Sequence, residues 1–92
     1  MPIYEDGLSP KIRTMVQKIN DVGVTDIVRY CDKYRPRINI RRQIKIVRHV
    51  AKLGYTYAAN EFGITRHGAE ISLKRMYEIA LKVEEMKRGK DD

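Results

Sequence analysis

The stretch YTYAANEFGITRHGAEISLKRM, residues 55–76, constrains the local fold more than any other part of this chain. Gly63 can take the left-handed conformation that ends a helix, and Thr65, two residues on, can cap the next one. Upstream, Thr56 is expected to cap a first helix over residues 57–62. Ala58, Ala59 and Phe62 on that helix, Ile64 in the turn, and Ala69 and Leu73 on the second fall where two helices crossing at a steep angle would bury them. Ala59 lies four residues before the glycine, where the helices come closest. A long or β-branched side chain there would hold them apart.

Outside this pair the helical period continues. Residues 1–8 show no periodicity and read as a loosely held lead-in. Ser9 followed by Pro10 is a helix start, because proline at the first helical position loses only an N–H that has no intrahelical partner. That helix is expected to reach about Asp21, with Ile12, Met15, Val16 and Ile19 on its buried face. Thr25 is expected to cap a second helix carrying Ile27, Val28, Cys31 and Tyr34, stopped by Pro36. Asn39 caps a third over residues 40–53, with Ile40, Ile44, Val47 and Ala51 on one face, widened by Ile46, Val50 and Leu53, and Gly54 at its end. The opposite face carries Arg41, Arg42, Lys45, Arg48 and Lys52. The helix after Thr65 meets no breaker before Gly89, which makes it about twenty residues long.

Gly23, Val24 and Thr25 echo Gly63, Ile64 and Thr65 forty residues later. The echo fails as a second motif. Bulky Ile19 stands four before Gly23 and charged Arg29 six after it, so residues 9–35 read as a supporting helical hairpin.

The chain has 92 residues, enough for one small domain with a single modest core. The lone Cys31 cannot form an intramolecular disulfide and reads as a small core residue. No Cys/His cluster has zinc spacing, and no apolar run approaches eighteen residues. A cytoplasmic, metal-free protein without cofactor and without membrane contact is expected. No nucleophile–base pair, carboxylate set or phosphate loop stands out, so catalysis is not expected. The net charge of +7 favours an anionic partner, and its distribution is more informative. Residues 39–75 hold eight basic and two acidic side chains, net +6, whereas residues 76–92 hold four and five, net −1.

Gly63, Ile64, Thr65 and Arg66, with Ala59 four before the glycine, Ala69 six after and Leu73 ten after, resemble the helix-turn-helix of DNA-binding proteins. The likeness is greatest to the Gly-Val-Ser-Arg type of transposases, serine recombinases, sigma-factor region 4 and small phage regulators. Ala69 departs from the Val or Ile usual at its position. The motif covers about a quarter of the chain, and the helix after Asn39 would complete a three-helix unit over residues 39–76. The five helices read from the residues make a small all-α domain, and the resemblance implies that the helix after Thr65 lies in the major groove of double-stranded DNA. Arg66, His67, Glu70 and Lys74 then face base edges. Arg66 suits a bidentate contact to guanine. His67 suits a base, a phosphate or no role, and Glu70 suits cytosine or a salt bridge with Lys74. Ile71 suits a thymine methyl or burial, and Gly68 a close backbone approach to DNA. Thr56 and Tyr57, at the free N–H end of their helix, with Thr65, Arg41, Arg42 and Lys45, would contact phosphates.

The last helix outruns what a recognition helix needs. Ala69, Leu73, Met76, Ala80 and Val83 make one stripe, and Tyr77, Ile79, Leu81 and Met86 a second surface. Two readings stand level: a homodimer through the second surface, or a helix buried on two sides of one domain. Glu78 and Lys82 are expected to form an i,i+4 pair, and the tail from Lys87 to fray. The function expected is a small, nucleoid-associated transcriptional regulator. The alternative is a non-catalytic protein-interaction or assembly adaptor, of packaging or polymerase-associated type, that binds RNA polymerase or another protein and holds nucleic acid non-specifically.

Overall fold

A computed structural model describes residues 9–90. The expected lead-in, residues 1–8, lies outside the described residues. Five helices follow in order: α1 (Pro10–Val22), α2 (Val24–Tyr34), α3 (Ile40–Leu53), α4 (Tyr55–Phe62) and α5 (Arg66–Lys90). The domain is all-α, with no strand among the described residues.

The starts of α1 and α3 follow from their caps. Ser9 Oγ accepts from the Ile12 N–H at 3.2 Å, and Asn39 Oδ1 accepts from the Arg42 N–H at 3.2 Å. Two other starts differ from expectation, both for one reason. Helix α2 begins at Val24 and α4 at Tyr55, each directly after a glycine that also ends the preceding helix. Gly23 (φ 102°) donates its N–H to the Ile19 carbonyl and accepts from the Ile27 N–H. Gly54 (φ 97°) does the same between the Val50 carbonyl and the Ala58 N–H. A positive φ suits glycine and lets the chain change direction within one residue. Thr25 and Thr56 are therefore exposed first-turn residues, not caps.

Helix α5 is the spine. At 1.5 Å per residue its 25 residues span about 38 Å, most of the 47 Å long axis of the molecule. It packs against all four other helices. Its buried side chains are Ala69, Ser72, Leu73, Met76, Ile79, Ala80 and Val83, and their three-and-four spacing makes one stripe. The Ser72 hydroxyl satisfies itself by donating to the Gly68 carbonyl at 3.1 Å. Against this stripe lie Ile12, Met15, Ile19 and Val22 of α1, Ile27 and Cys31 of α2, and Ile40, Ile44, Ile46, Val47 and Val50 of α3, in one core.

The second apolar surface expected on α5 largely disappears into this arrangement. Ile79 is core and Tyr77 packs on it, which leaves Leu81, Met86 and Ile71 outside. Three further expectations are corrected. Tyr34 is half exposed, its ring tilted against that of Tyr30 at 5.0 Å, because α2 ends there, beyond the core. Ala51 is exposed, because the buried face of α3 centres on Ile40, Ile44, Val47 and Val50. Of the tail expected to fray, residues 87–90 are helical, with Lys87 holding the Val22 carbonyl at 3.0 Å and pairing with Asp26, and residues 91–92 lie outside the described residues.

Candidate nucleic-acid interface

Helices α3, α4 and α5 each pack against the other two. Three residues, 63–65, separate α4 from α5, in contrast to the single Gly23 between α1 and α2. Gly63 is left-handed (φ 64°, ψ 34°), and its N–H and that of Ile64 both reach the Ala59 carbonyl. Thr65 Oγ1 accepts from the Gly68 N–H at 2.9 Å, closing the first turn of α5. Ala58, Ala59, Ala69 and Leu73 are buried, while Phe62 and Ile64 are half-buried against the core. Glycine at 68 has a local reason as well. A Cβ there would stand 3.3 Å from Thr65 Oγ1, crowding the cap.

The start of α5 faces outward. Arg66, His67, Lys74 and Arg75 are exposed, and Ile71 is 42% exposed, which answers whether it is core. Glu70 does not pair with Lys74. It lies 3.6 Å from Arg66 Nε and 3.8 Å from His67 Nδ1, because both are one turn N-terminal to it on the same face. The Arg66 guanidinium also sits 5.9 Å from the centre of the Tyr55 ring. Arg66, His67 and Glu70 thus form one cluster braced by α4, and burial pushes the Tyr55 phenol above its usual range. The expected Glu78–Lys82 pair is absent among the described ion pairs; Arg66–Glu70 and Glu84–Arg88 take that spacing instead.

The phosphate-contact candidates divide. Arg41 reaches Asp32 of α2 at 3.8 Å, whereas its neighbour Arg42 lies over the Phe62 ring of α4 at 5.7 Å. Lys45 is exposed, and its carbonyl accepts from His49 Nδ1–H at 2.7 Å. Tyr57 is half-buried, with its ring stacked on His49 at 5.8 Å, while Phe62 meets that imidazole edge-to-face at 4.9 Å. Thr65 commits its hydroxyl to the cap.

His49 and Tyr55 carried no role in the sequence reading, yet they hold Tyr57 and Arg66 in place. Each acts across a helix boundary, eight and eleven residues from its partner, so no periodicity within one element marks it. Among the described residues, Arg42, Lys45, Arg48, Lys52, Lys74 and Arg75 have no carboxylate within ion-pair distance. The described residues hold no group of three metal-ligating side chains, and no helix among them is long and apolar enough to cross a membrane. Cys31 is buried, and burial raises its thiol pKa, as suits a core residue. Comparison with protein-family models, curated proteins and solved structures found no match.

Proposed function

We propose that this protein binds double-stranded DNA and reads sequence with the first turns of α5, as a small regulator. One observation carries the reading. The turn at Gly63 and the cap at Thr65 hold the start of α5 in place with Arg66, His67 and Lys74 outward, on a three-helix unit in which Arg42, Lys45, Arg48 and Lys52 of α3 and Lys74 and Arg75 of α5 have no carboxylate within ion-pair distance among the described residues. Cations at those positions release counterions from the phosphate backbone, and a helix whose first turns are exposed can lie in the major groove with those turns at base edges.

The brace around Arg66 refines its role. A guanidinium already set by Tyr55 and Glu70 loses less side-chain freedom on binding guanine, although it must loosen from Glu70 to do so. Arg41 is tied to Asp32, so Arg42, Lys45, Arg48 and Lys52 carry the non-specific phosphate contact on α3.

Selection of sites from a random duplex pool tests the reading. Enrichment of a defined site is expected. Arg66→Ala should lose preference at one base pair by about 1–3 kcal/mol, whereas Arg42→Ala should weaken all duplexes alike and flatten the salt slope by about one unit. An unenriched pool, with binding lost at moderate salt, would favour the adaptor. Equal effects of the two substitutions on specificity and slope would remove α5 as the reading helix.

A further inference from the structure

The outer face of α5 carries a pattern that its inner face does not explain. His67, Ile71, Lys74, Glu78, Leu81 and Glu85 recur at spacings of four, three, four, three and four, the period of a helix-pairing seam. All six are exposed, with Ile71 at 42% and Leu81 at 37%. The last five line one open depression of about 600 Å³, walled on one side by Tyr30 of α2. Among the described ion pairs none involves Lys74, Glu78 or Glu85, even though Lys74 and Glu78 are four apart on one helix.

The order of these residues is self-complementary. Laid antiparallel against a copy of itself about a two-fold axis opposite residue 76, the seam sets each residue against the one equally far on the other side. Ile71 then meets Leu81 of the second copy, Lys74 meets Glu78, and His67 meets Glu85, with every layer occurring twice. A two-fold interface requires this reciprocity, residue i on j and j on i. Apolar faces apolar in one layer and opposite charges face in the next. The parallel arrangement would set Lys74 on Lys74 and Glu78 on Glu78, which like-charge repulsion disfavours.

We propose that the outer face of α5 is a self-association surface, whose occupant is α5 of a second copy of this chain in antiparallel register about residue 76. The pairing stands on the seam alone. Its consequence rests on the DNA-reading proposal: His67, Glu70 and Lys74 lie in or beside the seam, so a paired α5 cannot also enter the major groove. Self-association and DNA reading exclude one another, and the dimer is a masked state. Its seam holds only Ile71 and Leu81 as large apolar side chains from each copy, so the pairing is weak and reversible.

Sedimentation of the full chain from about 1 μM to about 1 mM tests the pairing. A reversible monomer–dimer equilibrium is expected for the wild type. Lys74→Glu and Glu78→Lys should each raise the dissociation constant by about tenfold or more, because each sets like charges face to face twice. The double substitution in one chain should return it to within about threefold of wild type, since the pairs re-form with polarity reversed. Circular dichroism verifies that the helices persist. A wild type that stays monomeric throughout, or a double variant as weak as either single, overturns the proposal. Leu81→Glu, outside the reading residues, then tests the masking on duplex DNA. Wild-type DNA occupancy should fall below simple saturation above its self-association midpoint, and that of Leu81→Glu should not. Rescue of pairing without any DNA binding would sink the reading while the pairing stands; DNA binding by an undiminished dimer would sink the masking.

Discussion

The two ends of α5 belong to one helix and are held in different ways. At the far end, Glu84 takes Lys18 of α1 at 2.9 Å, and Lys87 pairs with Asp26 of α2 and donates to the Val22 carbonyl. Lysines 18 and 87 hold these two carboxylates below their ordinary range, through hydrogen bonds first. At the near end no ion pair crosses from α5 to another helix among those described, and a turn, a threonine cap and a ring under Arg66 fix the first turns. One end is tethered by opposite charge; the other is positioned by backbone geometry. The difference is physical economy of charge: Lys74 and Arg75, with no carboxylate within ion-pair distance among the described residues, remain available to an anionic partner, whereas Lys87 and Arg88 at the far end are paired within the fold.

Substitutions can break that comparison, and the largest effect should come where both ends share a support. Leu73 is fully buried midway along the packed stripe, so Leu73→Ala should cost about 2–5 kcal/mol in urea denaturation. A cost under about 1 kcal/mol would mean that the core can collapse around the gap, and that the spine is less tightly packed than its burial indicates.

A smaller change should separate the ends. Thr65→Ala removes the acceptor for the Gly68 N–H and should cost about 0.5–2 kcal/mol. Amide exchange should quicken in the first turn of α5 while Val83 and its neighbours keep the protection set by global unfolding. Equal loss at both ends would show that α5 opens only as a unit.

The gentlest probe is pH. Asp26 and Glu84 have folded pKa values lowered by Lys87 and Lys18. Their contribution is therefore complete above the unfolded carboxylate values, about 4, and is lost as pH falls through the lowered folded values. Stability should decline in acid below about pH 4, and Asp26→Asn should make that decline shallower. Because these groups face solvent, the change should be small. An acid limb unaltered by Asp26→Asn would place the acid sensitivity elsewhere.

Much of the near end was legible because its signals are local. A glycine needing positive φ at 63, a hydroxyl at 65 within reach of the N–H three residues on, and alanines at 58, 59 and 69 act within one or two turns, where sequence distance is nearly spatial distance. The same holds for Ser9 and Asn39. A threonine two residues after a glycine suggests a cap at 25 and at 56, and in the structure the glycine takes that place. The competing solution, in which Gly23 or Gly54 serves two helices with its own backbone, requires the helices on either side to pack at the angle that the glycine sets. Nothing within the four residues concerned records that angle.

By itself, then, the order of residues determined the all-α class, the turn at Gly63 and the capped start of α5, and the concentration of cations between residues 39 and 75, because propensity, capping and charge are properties of short segments. Only the tertiary structure decided which partner each side chain meets. It turned Arg41 to Asp32 and Arg42 to Phe62, set His49 against both Tyr57 and Phe62, put Arg66 over Tyr55, and drew Ile79 into the core while leaving Leu81 outside. Those choices depend on how far apart helices sit and how they are rotated, which is set by the sum of all their packed side chains rather than by any one segment.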